Sequence, residues 1–165
     1  MSFYPQPTRQ QTPLDLPLRG ASPSDAFVRF WRKYATFSGR ASRSEYWWAV
    51  LISVVISTVI EVVALVMVDF DMQAWLDNDD SVTTFVSYAF ALATFLPSIA
   101  ITARRLHDTN RSGWLQLIAL IPLVGWVLTI VWLASGPVPA GVRYDQRPPL
   151  GQYPQAANTW GSSPE

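Results

Sequence analysis

The chain has 165 residues, half of them hydrophobic and only 15% charged, whereas a soluble domain carries about 25% charged residues. That length suits one domain, and the mean hydropathy of +0.16 is modest only because both ends are polar while the apolar residues are concentrated between them. Cysteine is absent, which excludes disulfides and leaves the redox compartment unread.

The formal net charge is zero, yet the signs are segregated. Arg29, Arg32, Lys33, Arg40 and Arg43 form a basic block, Asp69, Asp71, Asp77, Asp79 and Asp80 an acidic one, and Arg104, Arg105 and Arg111 a second basic one. Residues 1–21 are Pro-rich and polar and are expected to be a disordered tail without the apolar core of a signal peptide. Ser22-Pro23-Ser24-Asp25 is a helix start, with Ser22 as cap and Pro23 in the first turn. Phe27, Phe30, Trp31, Tyr34 and Phe37 then recur at helical spacing with cations between them. This predicts a short amphipathic helix over 22–37, lying in the membrane interface or packed on its own bundle.

Ser42 and Glu45 have capping-box spacing and open the first apolar run, about 47–68. Roughly 22 residues at 1.5 Å each give about 33 Å, enough to cross the hydrocarbon core. Further apolar runs cover about 82–102 and 114–133. The expected fold is therefore an all-α integral membrane protein: a three-transmembrane-helix bundle with the interfacial helix before it, a membrane domain over 22–137 and a disordered tail over 138–165. Eight Trp suit membrane interfaces. Because Lys and Arg stay cytoplasmic, the N-terminus is expected inside, the 69–81 loop outside and the 103–113 loop inside. Alternation then carries the C-terminus outside. Pro122 and Gly125 interrupt the third run; a kink is the expected reading and a re-entrant segment the alternative.

Ser53, Ser57 and Glu61 share one helix face, and Thr84, Ser87, Ala91, Thr94 and Ser98 follow a three-four spacing in the second run. Gln116, Ala119 and Thr129 are candidates for a matching face in the third. Together they predict a thin polar seam that allows close helix approach. Glu61 is the one ionisable group within the runs, read either as a proton or substrate site or as a protonated carboxyl bonded to a Ser or Thr across the seam.

The 104–114 stretch, Arg-Arg-Leu-His-Asp-Thr-Asn-Arg-Ser-Gly-Trp, reads as a tight connection. Asp108, Asn110 and Gly113 form turns, Asn110 tolerates a positive φ, and Ser112 or Asp108 can cap the next helix. Phe37, Gly39, Arg40, Arg43, Glu45, Tyr46 and Trp47 form an entry pattern before the first run. Ile121-Pro122-Leu123-Val124-Gly125-Trp126 follows the connection. In these three elements, in this order, the chain resembles the YhaH-like bacterial inner-membrane proteins, the family of domain of unknown function 805, over about residues 27–147. It departs at Asn110, where Gly is common, at Leu115, where Trp is frequent, and over residues 141–145. The resemblance implies a bacterial inner-membrane location and carries no activity with it.

Catalytic signatures are missing. His107 is the sole histidine, too few ligands for a closed metal site, and an adjacent His107-Asp108 pair is no nucleophilic triad. No Walker loop or nucleophile elbow occurs. No metal, cofactor, catalytic residue or nucleic-acid partner is expected. The leading expectation is a noncatalytic module that binds anionic membrane lipid or a protein partner through Arg40, Arg43, Arg104, Arg105, His107, Asp108 and Arg111, although positive-inside charge also sets topology by itself. One alternative is an oligomeric transporter or channel subunit using Glu61. Another is an intramembrane enzyme, for which Glu61 on one side and His107 and Asp108 on the other cannot share a site.

Overall fold

A computed structural model describes residues 12–14, 16–68, 70–76 and 82–145. Of the acidic block, Asp69, Asp77, Asp79 and Asp80 lie outside these residues. The order is α1 (Pro23–Arg32), α2 (Arg43–Met67), α3 (Met72–Leu76), α4 (Val82–Asp108), a 3-10 helix (Gly113–Leu120), α5 (Val124–Ala134) and a second 3-10 helix (Pro139–Tyr144). The described residues are all helix, turn and coil, with no strand among them.

Both expected N-terminal caps form, because each supplies the bare amides of a first helical turn. The Ser22 Oγ accepts from the Asp25 amide and the Asp25 carboxylate from the Ser22 amide. Ser42 and Glu45 do the same at 3.2 and 2.8 Å. Helix α1 ends at Arg32, five residues before the expected 37, so Tyr34 and Phe37 belong to the turns that lead into α2.

Helices α2 and α4 run antiparallel, with the Ala41 amide at the head of α2 bonded to the Arg104 carbonyl near the foot of α4, 3.0 Å. Both are long and apolar enough to cross a membrane. Leu51, Val54, Val55 and Val59 of α2 and Phe85, Leu92 and Phe95 of α4 are exposed. A water-facing surface of that kind is untenable for a monomer in solution, so these helices require an apolar surround. The small buried core sits at the opposite, polar end: Phe30, Ala41, Ala49 and Ile101, with Tyr46 against them.

The sequence expectation fails in three places. The first is the connection at 103–113. Helix α4 continues to Asp108, past the expected end near 102, so His107 and Asp108 as well as Arg104 and Arg105 stand on its last turns. Cations are favoured there by the bare carbonyls, and the true turn is 109–112, with Asn110 at φ 59°.

The second is the third span. No continuous helix covers 114–133. The Gly113–Leu120 helix descends along α4, the chain turns at Ile121–Leu123, and α5 returns beside it. Pro122 contributes no amide to the turn. The Val124 and Gly125 amides fold back onto Pro122 and Ile121 carbonyls at 2.8 and 3.0 Å. Gly125 allows the two arms to touch: a Cβ there would lie 1.8 Å from the Ile118 oxygen. The foot of α5 arrives where the hairpin began, and the Val138 amide donates to the Asp108 carbonyl at 2.9 Å. The described chain therefore ends at the same end of the molecule as the head of α2.

The third concerns the tails. The expected 1–21 tail packs in its described part: Leu18 and Ala21 are buried, and the Leu18 amide donates to Glu45 at 3.1 Å. Beyond 138, the Pro139–Tyr144 helix is bound to the polar end, with the Gly39 amide on the Tyr144 carbonyl at 2.9 Å.

Candidate functional site: a charged cap on a membrane hairpin

Seven of the eight residues singled out from sequence gather at the polar end, and Glu61 stands apart from them. Four charges there form an alternating chain. The Arg105 Nη1 donates to Asp108 Oδ2 at 2.6 Å, Asp108 Oδ1 faces Arg40 Nη1 at 3.7 Å, and Arg40 grips Asp145 through Nε and Nη2 at 2.8 and 2.6 Å. The first link lies within α4 and the other two cross between segments, so the chain of charges ties the foot of α4 to the α1–α2 connection and to the end of the C-terminal helix.

Arg105 is 0% exposed because it caps α5. Its Nε donates to the Leu133 carbonyl at 2.9 Å and its Nη2 to the Ser135 carbonyl, groups that a helix C-terminus leaves without partners. Arg104, 1% exposed, bonds the Ala100 carbonyl at 3.3 Å and feels the charge of Glu45 and Arg29. Neither guanidinium is available to a headgroup at the surface.

A second buried pair lies beside the first. Arg29 Nη1 and Glu45 Oε1 are 3.1 Å apart. The same guanidinium holds the Thr12, Pro13 and Leu16 carbonyls at 2.8 to 3.1 Å, and Lys33 donates to the Leu14 carbonyl. Sequence reasoning missed this role of Arg29 and Lys33. Their position on an amphipathic helix suggests a solvated or lipid-facing edge, and only the polar carbonyls of a Pro-rich segment hinted at a partner.

His107 and Asp108 take different partners. Residues 103–108 stand past the apolar stretch of α4, in the polar cap. There the His107 Nδ1 meets the Gly39 carbonyl at 3.1 Å, which makes Nδ1 the protonated nitrogen, and the ring stacks on Tyr144 with centroids 4.0 Å apart. Burial pushes the His107 pKa down, opposed by the Gly39 bond and reinforced by Arg143. Burial pushes that of Asp108 up, opposed by Arg105 and Arg40. Arg111, half-buried, lies over the Trp132 ring at 5.3 Å. Arg43 is exposed.

Among the described residues, what remains outward at this end is of one sign. The described carboxylates of this end are Asp25, Glu45, Asp108 and Asp145, and none is exposed. The exposed charges are Arg19, Arg32, Arg43 and Arg143. Among the described residues no group of three or more His, Cys, Asp or Glu could hold a metal ion.

Glu61 lies on α2 far from the cap. The Ser87 Oγ of α4 donates to its Oε1 at 2.8 Å, the bond across the seam that the spacing of Ser and Glu suggested. Ser57 and Thr94 instead turn back on the Ser53 and Phe90 carbonyls of their own helices, 3.0 and 2.7 Å.

Comparison with known proteins finds a family and inner-membrane relatives. The family described as protein of unknown function (DUF805) matches residues 34–146. Inner membrane protein YhaI of Escherichia coli (strain K12) is 34% identical over 120 residues, 73% of this chain and 92% of that protein. Inner membrane protein YhaH of the same strain is 34% identical over 128 residues, 76% of this chain and 98% of its own length. No solved structure matches. The match spans the entry pattern, the α4 foot and the Pro-Gly hairpin, and the chain belongs to the DUF805 family.

Proposed function

We propose that this chain is a noncatalytic module of the bacterial inner membrane that binds anionic lipid headgroups through its cytoplasmic end. The observation that carries the reading is the single sign of the exposed charge there: among the described residues of that end no carboxylate is exposed and the exposed charges are arginines. Near an anionic surface each cation contributes roughly 1 kcal/mol, and arginine contacts phosphate through two parallel hydrogen bonds. Arg32 and Arg43 face the headgroups, with Arg19 and Arg143 at the rim. Arg40, Arg104, Arg105, His107 and Asp108 hold the frame on which those cations stand.

The same geometry supports the membrane arrangement that goes with this reading. Helices α2 and α4 cross, and the Gly113–Ala134 hairpin is re-entrant, entering and leaving on the cytoplasmic side. Eight residues of 3-10 helix rise about 16 Å, and the eleven residues of α5 about the same. Either arm reaches only half of a hydrocarbon core about 30 Å thick. Both termini are then cytoplasmic.

The test is the lipid that stays bound to protein purified in mild detergent, read by native mass spectrometry. Wild type retains phosphatidylglycerol or cardiolipin, and Arg32→Gln/Arg43→Gln, inserted to the same level, loses it several-fold. Equal retention by both forms rejects the reading, and co-purification of one protein lost in the variant replaces lipid with a protein partner.

A further inference from the structure

Glu61 is exposed on α2, fourteen residues beyond Trp47, which places it about 21 Å along the helix from that ring. The re-entrant hairpin, rising about 16 Å, stops short of this level. A groove of about 420 Å³ opens here, lined by Ser57, Glu61, Ser87, Tyr88, Ala91 and Thr94, all from α2 and α4. The hydrocarbon half that contains Glu61 is thus two helices thick among the described residues, and a carboxyl group faces out of it.

An ionisable group in that position is costly against lipid tails and is ordinarily turned to a protein interior or a water-filled cavity. Ser87 satisfies one oxygen of Glu61. The other oxygen has no hydrogen bond among the described residues. The chain offers no Lys or Arg within α2 beyond Arg43 or within α4 before Arg104. Among the described residues nothing covers the groove.

We propose that a second copy of this chain covers it, the two copies packing α2 and α4 about a twofold axis along the membrane normal. The groove is lined by complementary groups: the Tyr88 hydroxyl of one copy can donate to the Glu61 oxygen left open in the other, and the Ser57 and Ser87 hydroxyls, which donate within their own chain, still accept. Ser57, Ser87 and Ala91 are small enough for close approach. Closed twofold pairing is the commonest oligomer symmetry, and it completes a four-helix bundle at the level where one chain supplies two helices. This inference uses the hairpin depth and the groove, and is independent of the lipid reading of the opposite end.

The chain has no cysteine, so single cysteines report the contact directly. Ala91→Cys and Ser57→Cys, oxidised in native membranes, link copy to copy. Val59→Cys and Phe85→Cys, exposed on the far faces of the same helices, do not. Adding Glu61→Leu to Ala91→Cys lowers the yield several-fold, whereas Glu61→Gln, which still accepts, preserves it. Equal yields at Ala91 and Val59, a monomer mass in lipid nanodiscs, or linkage of Ala91→Cys to a different protein overturns the proposal. Lipid retention at the arginine end is read separately, so failure of either idea leaves the other standing.

Discussion

Arg40 and Asp145 stand 105 residues apart in sequence and meet through two hydrogen bonds, Nε to Oδ1 at 2.8 Å and Nη2 to Oδ2 at 2.6 Å. Both side chains are buried, and Arg40 also faces Asp108 at 3.7 Å. Removing one member of such a pair leaves a charge without its counterpart, at a cost of about 3 kcal/mol. Arg40→Met strands Asp145 and leaves Asp108 to Arg105 alone, whereas Asp145→Asn strands one cation that still has Asp108. The expected order of apparent Tm in detergent is wild type, then Asp145→Asn, then Arg40→Met. The double variant should melt close to Arg40→Met rather than at the sum of the two losses. Simple additivity contradicts the described linkage.

The same ion pair bears on topology. Asp145 lies after the hairpin and Arg40 before the first span, so a chain that brings them together keeps both on one side of the membrane. A cytoplasm-active reporter fused after residue 165 should be active, and a periplasm-active one silent. Periplasmic activity in a protein that still responds to Arg40→Met would remove the re-entrant reading.

Gly125 supplies a sharper test of the hairpin. A Cβ there meets the Ile118 carbonyl oxygen at 1.8 Å and its carbon at 2.8 Å, backbone atoms that cannot swing aside. Gly125→Ala is expected to force the arms apart and cost at least 1–3 kcal/mol, as overpacking does. Gly136 has nothing within 4 Å of its would-be Cβ, so Gly136→Ala should stay within about 0.5 kcal/mol. Equal thermal stability of the two variants would contradict the close crossing.

The local features legible in the sequence are those that depend on neighbours along the chain. The Ser22 and Ser42 caps, the apolar lengths of α2 and α4, the Ser87–Glu61 bond and the positive φ of Asn110 all follow from spacing or residue type. Burial of Arg104 and Arg105 does not. Adjacent arginines at the end of an apolar helix read as a solvated, orienting charge, and what removes them from water is the returning foot of α5, a contact between residues 28 and 30 apart. The hairpin itself was written in Pro122 and Gly125, but a kinked span and a re-entrant one share those residues. They differ in where Leu133 and Ser135 find a partner, which periodicity does not encode. The Pro-rich stretch before Ser22 looked unable to bury anything; it is held through its carbonyls, which Arg29 and Lys33 take up.

His107 gives the cap a pH dependence whose sign can be worked out. Burial lowers its folded pKa below the ordinary 6.5, so the unfolded chain binds the proton first as pH falls. Stability therefore declines as pH drops from about 6.5 toward the folded pKa and is steady above that window. Protonation would also place a charge beside Arg143 and against the Tyr144 ring on which His107 stacks. Asp108 works in the opposite direction, since its raised pKa means that the folded state takes up a proton more readily as pH falls. A single wild-type profile mixes the two. His107→Asn separates them, because its amide can still donate to the Gly39 carbonyl but does not titrate. Between pH 7 and 5.5 the wild-type apparent Tm should fall more steeply than that of His107→Asn. Parallel profiles would mean that the imidazole takes its proton as easily in the cap as in the unfolded chain.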